Sequence, residues 1–150
     1  MTYHIYTDGA ASPNPGTGGW AFAVVVDDKI IYKENGREEN TTNQRMEMKA
    51  VAAACEFIST VRRAHGFVMD DFIIYTDSAY IYNCYSAKWY AAWERNGWRN
   101  SKKEPVANKD LWEEIVPFFE NVGFKKVMGH CGNKYNEIVD KLAVAARSNK

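Results

Sequence analysis

The sequence predicts an α/β domain in which helices flank a five-stranded mixed sheet, with three antiparallel strands followed by two parallel ones. Two observations lead to this class. Three β-type segments come first in the chain, separated by turn residues, and strands then alternate with helical segments. The 150 residues, of which 46% are hydrophobic, suffice for one domain over residues 1–150 with its own core.

Three strands are expected before the first helix. Asp27 and Asp28 predict a tight turn between the second and third strands. Residues 11–19, rich in glycine and proline, predict a loop between the first and second. This loop lacks the Lys-Ser/Thr end of a P-loop, which argues against a nucleotide-binding role. The strands are expected over residues 3–8, 20–26 and 29–35.

A long helix follows the third strand. It is expected to begin at Thr42 or Asn43, either of which can cap its N-terminus, and to end at residue 62 or 63. Extending its apolar stripe backwards by four residues reaches Glu47. An unpaired buried carboxylate is costly, so Glu47 either interacts with the helix dipole in the first turn or faces a cation. The stripe consists of Val51, Ala54, Cys55, Ile58 and Val61.

The second half of the chain alternates between strands and helices. Residues 72–76 predict a fourth strand that leads to Asp77, and Ser78 can cap a short helix that runs to Tyr85. Residues 97–105 form a polar, basic loop. Further helices are expected over residues 87–98, from 108–110 to 121, and over 136–147, with a fifth strand over 124–128 and a loop over 129–134.

One short sequence occurs twice. Residues 5–10, Ile-Tyr-Thr-Asp-Gly-Ala, are echoed by residues 74–79, Ile-Tyr-Thr-Asp-Ser-Ala, and in each copy an aspartate ends a strand. If the two strands pair in parallel about 4.8 Å apart, Asp8 and Asp77 lie close together. Two anions that close repel unless a cation lies between them. The alternative is that each aspartate caps the segment that follows it.

Four carboxylates from four elements are candidates for a metal site: Asp8, Glu47, Asp77 and Asp140. Asp140 lies early in the last helix beside its apolar stripe, although an ordinary first-turn aspartate would occupy the same place. An all-oxygen set suits magnesium or manganese. It also suits two ions about 3.5–4 Å apart that activate water and stabilise a leaving oxygen on phosphorus. Cys131, beside His130, is the only candidate nucleophile and is expected to be a bystander.

Charge and aromatic content narrow the function classes. The net charge is zero, so nucleic-acid binding would need a local basic patch. Residues 88–109 supply one, with six basic residues against two acidic ones and therefore a charge of +4. The alternative is an exposed helix whose tryptophans pack on the core while its lysines keep the protein soluble. The interleaved aromatic residues are Trp89, Tyr90, Trp93 and Trp98.

Cysteine usage and hydropathy bear on location. Three cysteines without a C-x-x-C pair suit a reducing cytosol and argue against a disulfide framework or a zinc site. The N-terminus lacks a signal-peptide pattern, and no apolar run approaches about 18 residues. We therefore expect a cytoplasmic protein that makes no contact with a membrane.

Six segments, in order, carry a resemblance to a known family. They are residues 6–9 with 14–16, 41–47, 76–78, 89–98 with the basic loop, 105–112, and 129–132 through 136–140. Over essentially its whole length the chain resembles type 1 ribonuclease H, of the bacterial ribonuclease HI family. The resemblance implies the ribonuclease H-like fold and a magnesium-dependent endonuclease, with manganese as an alternative ion, that cuts the RNA strand of RNA–DNA hybrids. It implies two metal ions and products with 5′-phosphate and 3′-hydroxyl ends. A monomer is expected.

The resemblance also implies roles for residues. Asp8, Glu47, Asp77 and Asp140 match the family's metal-binding carboxylates, and His130 matches a loop histidine that assists catalysis. Positions that match contacts to the RNA strand are Asn14, Asn43, Gln44 and, near the cut, Glu137. Thr42 and Asn108 match a pocket for a DNA phosphate. The basic segment resembles a protrusion of the bacterial members. Substrate contacts are also expected at Gly9, Ser78, Trp89, Trp93, Trp98, Arg99, Lys102, Lys103 and Asn136.

Two positions depart from the family pattern, and two other functions stay open. Asn40 stands where many relatives have an arginine of the phosphate pocket, so weaker binding is expected there, and Ala79 stands where some have glutamine. A catalytically silent hybrid-binding module is one alternative, against which all four carboxylates are intact. A nuclease of the same superfamily with another substrate is the second, against which the asparagines at the RNA-contact positions argue.

Overall fold

The computed structural model describes residues 1–65, 71–127 and 133–148. Five strands and five α-helices make up this part of the chain. The strands are β1 (Thr2–Ser12), β2 (Gly16–Val26), β3 (Lys29–Thr41), β4 (Asp71–Thr76) and β5 (Gly123–Lys126). The helices are α1 (Asn43–His65), α2 (Ala79–Ala87), α3 (Trp89–Asn96), α4 (Lys109–Ile115) and α5 (Lys134–Ser148), with a 3₁₀ turn over Val116–Phe118.

The predicted mixed sheet is confirmed. The strands lie in the order β3-β2-β1-β4-β5, so β1 is the central strand. β1 and β2 pair antiparallel, as do β2 and β3. β4 pairs parallel with both β1 and β5.

Helices pack on both faces of the sheet because the strands alternate their side chains. On β2, Phe22 and Val24 face the larger core with α1, while Ala21, Ala23 and Val25 face α5. The second cluster includes Val139 and Ala143 of α5, and the small alanines allow that helix to approach closely. No helix in the described ranges combines the length and apolarity needed to cross a membrane.

The prediction of a long loop over residues 11–19 was wrong, because β1 and β2 remain paired as far as Ser12 and Thr17. The glycines of this stretch mark a close helix contact as well as a turn. A Cβ at Gly19 would lie 2.0 Å from the carbonyl oxygen of Ala143 in α5. β3 likewise extends to Thr41, six residues beyond its predicted end, because this edge strand is mostly exposed and lacks an apolar alternation.

Most of the other predicted elements are confirmed within a few residues. The turn at Asp27 and Asp28 has φ values of 49° and 63°, which suit a two-residue hairpin. The predicted helix over residues 87–98 begins later, because Lys88 has a left-handed φ of 56° that separates α2 from α3. The helix predicted to reach residue 121 gives way to the 3₁₀ turn at Pro117.

The apolar stripe of α1 is confirmed along most of its length. Val51, Ala54, Cys55 and Ile58 are buried, and Val61 packs against the margin of the same core. This stripe fixes the rotation of α1 against the sheet. The Glu47 side chain is therefore directed toward β1, where the Gly9 amide donates to it.

Candidate active site

The repeated sequence brings two aspartates together at one edge of the sheet. β1 and β4 are parallel neighbours, and their register pairs Tyr6 with Tyr75. Asp8 and Asp77 each lie two residues beyond this last pair, so they occupy equivalent positions. Asp77 directly follows β4, but the prediction that Asp8 ends its strand was wrong, because β1 stays paired with β2 as far as Ser12. Oxygen atoms of Asp8, Glu47 and Asp77 all lie within 4.8 Å of one another.

Glu47 reaches this group because α1 approaches β1 very closely at Gly9. The Gly9 amide donates to the Glu47 carboxylate, with 2.6 Å between nitrogen and Oε1, and to Asp8 Oδ1 at 2.9 Å. A Cβ at Gly9 would lie 2.3 Å from the main-chain oxygen of Met46. Only glycine fits here, so Gly9 is a close-approach position within β1 and does not form a turn.

The clustered carboxylates hold protons that isolated ones would release. Burial, reinforced by the charge of Asp77, raises the pKa of Asp8 to about 7. Burial and the neighbouring carboxylates also raise the pKa of Glu47 well above its usual range. Asp77 Oδ1 is buried without a hydrogen-bond donor in the described part of the chain. A divalent cation would satisfy this oxygen and offset the repulsion, so the residues present fit a metal site.

Asp140 lies beside this group of three. It interacts with the Asp8 carboxyl, and both residues line a cavity of about 40 Å³. That volume exceeds the roughly 10–15 Å³ that one water requires. Asn136 and Glu137, from the first turn of α5, line the same cavity. The structure thus brings all four candidate carboxylates to one place, with Asp140 at its margin.

Comparison with known proteins supports the same family as the residues do. The RNase H family model matches residues 1–148. The ribonuclease H of Syntrophomonas wolfei is 45% identical over 141 residues, which cover 93% of this chain and 91% of that protein. The ribonuclease H of Moorella thermoacetica is 46% identical over 145 residues, or 95% and 89% of the two chains. The chain belongs to the RNase H family.

Solved structures of the RNase H family show the same fold. LC9-RNase H1, described as a type 1 RNase H with the type 2 active-site motif, superposes with a TM-score of 0.77. It is 26% identical, and the match covers 97% of this chain and 72% of that one. LC11-RNase H1, solved in complex with an RNA/DNA hybrid, gives a TM-score of 0.70 at 22% identity, with coverage of 96% and 95%.

Two asparagines that the sequence predicts to contact an RNA strand lie next to each other. The Asn14 side chain accepts a hydrogen bond from the Asn43 amide at 3.1 Å, and the Asn43 side chain accepts one from the Ala11 amide at 2.7 Å. These bonds join the β1–β2 turn to the start of α1. Gln44 follows, and Asn14, Asn43 and Gln44 are all exposed, so their remaining polar atoms face solvent.

Arg45 joins the two residues of the predicted phosphate pocket, a role that the sequence did not suggest. The Thr42 hydroxyl caps α1 by accepting a hydrogen bond from the Arg45 main-chain amide. The Arg45 guanidinium donates a hydrogen bond to the Asn108 side-chain oxygen at 3.2 Å. It also bonds to Glu38 and Asp110, each at 2.8 Å. A basic residue in the first turn of a helix opposes the dipole, and that mismatch was the available signal.

Asn40 has a φ of 53°, a left-handed conformation that asparagine adopts more readily than most residues. The asparagine present at this position therefore suits its backbone conformation. Ser78 is confirmed as the cap of α2, since its side chain accepts the Ile81 amide at 3.2 Å. Ala79 is the first residue of that helix.

The aromatic residues of the basic segment divide between the core and the surface. Trp93 is only 8% exposed and packs against Trp112, so it offers little surface to a substrate. Trp89 and Trp98 are partly buried, and Lys109 lies over the Trp98 ring. Lys102 and Lys103 are exposed, as is Arg99, which bonds to the Lys103 carbonyl. His130 and Cys131 lie outside the described residues.

Proposed function

We propose that this chain is an endonuclease of the RNase H family that hydrolyses the RNA strand of RNA–DNA hybrids with divalent metal ions, and that residues 1–150 form one catalytic domain. The observation that carries the proposal is the group formed by Asp8, Glu47 and Asp77. Their oxygens lie within 4.8 Å of one another, and one buried oxygen of Asp77 has no donor in the described part of the chain. Asp140, beside Asp8, completes the proposed metal-binding set.

Magnesium, with manganese as an alternative, would lower the pKa of the attacking water and stabilise the departing 3′-oxygen. Hydrolysis would then leave 5′-phosphate and 3′-hydroxyl ends. The chain supplies rigid supports. Asp8 lies within the central strand β1, Asp77 directly follows its parallel neighbour β4, and the Gly9 amide orients Glu47. His130, which precedes α5 in the chain, is the proposed catalytic assistant.

Discrimination of RNA from DNA is assigned to exposed amide side chains. We propose that Asn14, Asn43 and Gln44 contact the RNA strand, where the 2′-hydroxyl distinguishes it from DNA. Asn136 and Glu137 line the cavity beside the carboxylates and are proposed to lie near the scissile phosphate. Gly9 and Ser78, next to Asp8 and Asp77 in the chain, are proposed to contact the substrate beside them.

The DNA strand is assigned to a second surface. Thr42 and Asn108, joined by Arg45, are proposed to hold a DNA phosphate. The basic segment extends this surface. Its proposed contacts are Trp89, Trp93, Trp98, Arg99, Lys102 and Lys103, of which Trp93 acts chiefly by supporting its neighbours. A monomer in the cytoplasm is proposed, and the free thiols of Cys55 and Cys84 suit a reducing compartment.

A cleavage assay with three duplexes tests the function. RNA–DNA hybrid, double-stranded DNA and double-stranded RNA are each offered with magnesium or with a chelator. We expect cleavage of the hybrid's RNA strand alone, dependent on the metal and abolished by Asp8→Asn. Asp27→Asn, which changes an exposed turn aspartate, should leave cleavage intact and serves as the control. Binding without cleavage, or cleavage of double-stranded DNA, would contradict the proposal.

A further inference from the structure

Three tyrosines stack beneath the carboxylates, one from each of three elements. Tyr6 of β1 and Tyr75 of β4 lie parallel, with ring centroids 4.4 Å apart and an interplanar angle of 6°. Tyr135 of α5 packs on Tyr6 at 5.2 Å. β1 carries Asp8, β4 leads to Asp77, and α5 carries Asp140, so the stack links the supports of three of the four candidate carboxylates.

The hydroxyl of Tyr135 extends this stack to a fourth element. It lies 2.6 Å from Asp28 Oδ1 and 2.9 Å from the Asp28 carbonyl oxygen, in the turn between β2 and β3. The hydroxyl donates and both oxygens accept, which holds the ring from its far end. Lys134 Nζ, 3.8 Å from the same carboxylate, adds a weak ion pair. Tyr135 is 8% exposed, whereas the Asp28 side chain is 80% exposed.

The hydrogen bond from the Tyr135 hydroxyl to Asp28 holds the first turn of α5, the part of the helix that faces the cavity, in place. The other hydrogen bonds of the first turn are local, since the amides of Tyr135, Asn136 and Glu137 all donate to Asn133. In the described part of the chain, the Tyr135 hydroxyl makes the hydrogen bond that joins this turn to another element. Later contacts, from Asn35 to the Leu142 carbonyl and from Arg37 to the Arg147 carbonyl, lie farther along the helix.

Helix geometry couples Tyr135 to the cavity. Tyr135 and Val139 are four residues apart and form part of the buried stripe of α5. Asn136 and Asp140 are also four residues apart, on the adjoining face that lines the cavity. Any rotation that lifts Tyr135 from the Tyr6 ring must therefore carry Asn136 and Asp140 with it.

We propose that Tyr135, bonded to Asp28, is a positioning residue for hydrolysis, which fixes the rotation of α5 so that Asn136, Glu137 and Asp140 face the other carboxylates. The inference rests on the proposed function for its effect on catalysis. The hydroxyl touches neither substrate nor metal site, and it acts through the helix. The hairpin turn between β2 and β3 thereby becomes part of the support of the active site.

Variants on both sides of the hydrogen bond test the proposal. Tyr135→Phe keeps the ring stack and removes the hydroxyl. Asp28→Gly removes the carboxylate at a position whose φ of 63° glycine tolerates, while the main-chain acceptor remains. Asp28→Asn keeps a side-chain acceptor and also tolerates this conformation. Asp27→Gly is the matched control, because Asp27 has a similar φ of 49° and makes no hydrogen bond to α5 within the described residues.

Kinetics and hydrogen exchange are the measurements. Tyr135→Phe should lower kcat on a hybrid about threefold to tenfold with little change in KM. The loss is modest because water can donate to the exposed Asp28 oxygens in place of the missing hydroxyl. Asp28→Gly should show a smaller loss, and the double variant should be no worse than Tyr135→Phe. Asp28→Asn and Asp27→Gly should stay near the parent protein. Exchange of the amides of residues 135–138 should rise in Tyr135→Phe, while that of residues 143–147 stays unchanged.

Three outcomes would overturn the proposal. The first is a Tyr135→Phe variant that melts at a lower temperature although its kcat and the amide exchange of residues 135–138 are unchanged. Tyr135 would then stabilise the fold without positioning the active site. The second is a loss in Asp28→Asn as large as in Asp28→Gly, which would implicate charge instead of the hydrogen bond. The third is additive losses in the double variant. If the parent protein fails to cleave hybrids, the proposed function fails, and the exchange measurement still decides whether the contact holds α5.

Discussion

At the scale of single residues, the electrostatics of the site centre on Asp8. Its carboxyl is largely buried beside Glu47 and Asp140 and faces the charge of Asp77, and burial with this charge raises its pKa to about 7. In a metal-free protein near neutral pH, the group is therefore partly protonated. A cation that binds must displace this proton. The same burial that makes Asp8 costly as an anion makes it a strong ligand once a cation is present.

The metal-free protein should lose stability as pH rises. The folded-state pKa of Asp8, about 7, exceeds the ordinary 3.8, so between these values the folded state binds more protons than the unfolded state. The unfolding free energy therefore falls across this window, by on the order of 2–4 kcal/mol from this group, and the loss is complete above about pH 7. Urea unfolding in metal-free buffer at several pH values measures the slope.

A variant and an added ion provide the controls for that slope. Asp8→Asn cannot titrate, so its stability should vary less over the same window and exceed that of the parent protein near pH 7. Magnesium should raise the melting temperature of the parent protein more at about pH 8 than at about pH 5, because protons compete with the metal. Equal slopes for parent and variant would contradict the assignment of the raised pKa to Asp8.

At the scale of secondary-structure elements, closeness of approach decides whether the site forms. α1 can present Glu47 to the strand aspartates only because β1 has no side chain at Gly9. The clash expected there involves the Met46 backbone, which a rotamer change cannot relieve. Gly9 is thus needed for the packing of α1 on the sheet and also for the geometry of the carboxylates.

Gly9→Ala should therefore impair stability and activity together. The added Cβ would meet the Met46 oxygen at 2.3 Å, so we expect a loss of about 3 kcal/mol and at least about tenfold lower hybrid cleavage under conditions where the variant is folded. Gly123→Ala is the matched control, since the atom nearest to its added Cβ, Ile73 Cγ1, would be 3.5 Å away, an ordinary contact. Denaturant unfolding and initial rates should separate the two variants, and similar effects from both would refute the argument.

The same elements mark how far the sequence could predict the structure. The stripe of α1 that extends to Glu47 and the repeat at Asp8 and Asp77 were readable because apolar periodicity and a repeated segment are visible in the sequence itself. The extent of β3 was not, because an exposed edge strand needs no apolar alternation. The hydrogen bond between Tyr135 and Asp28 was also missed, since it joins residues 107 positions apart and follows from tertiary packing alone.

At the scale of the whole molecule, charge is unevenly distributed in a chain whose net charge is zero. Carboxylates cluster where β1, β4, α1 and α5 meet, while residues 88–109 carry an excess of four positive charges. A hybrid carries phosphates on both strands, so a basic segment at a distance from the carboxylates can bind the duplex without competing with the metal ions for the acidic groups.

The salt dependence of hybrid binding should show that the basic segment, and not the carboxylate group, binds the phosphates of the duplex. Replacing Lys102 and Lys103 by glutamine should weaken hybrid binding and reduce the slope of log affinity against log salt by roughly 1–2, because fewer counterions are released. The value of kcat at saturating hybrid should change less than KM. Lys29 and Lys33, exposed on β3, provide the control. Their replacement by glutamine removes two positive charges as well, but outside the basic segment. Equal slopes in the two double variants would count against the basic segment.

The order of the sheet has a consequence for how activity would be lost on heating. β1 is the central strand and β4 its parallel neighbour, so the positions of Asp8 and Asp77 persist for as long as the sheet does. Asp140 depends on α5, which in the described part of the chain packs on its face of the sheet without another helix beside it. Detachment of that single helix would leave a three-carboxylate remnant in an otherwise native sheet. Thermal inactivation can therefore precede melting of the protein as a whole.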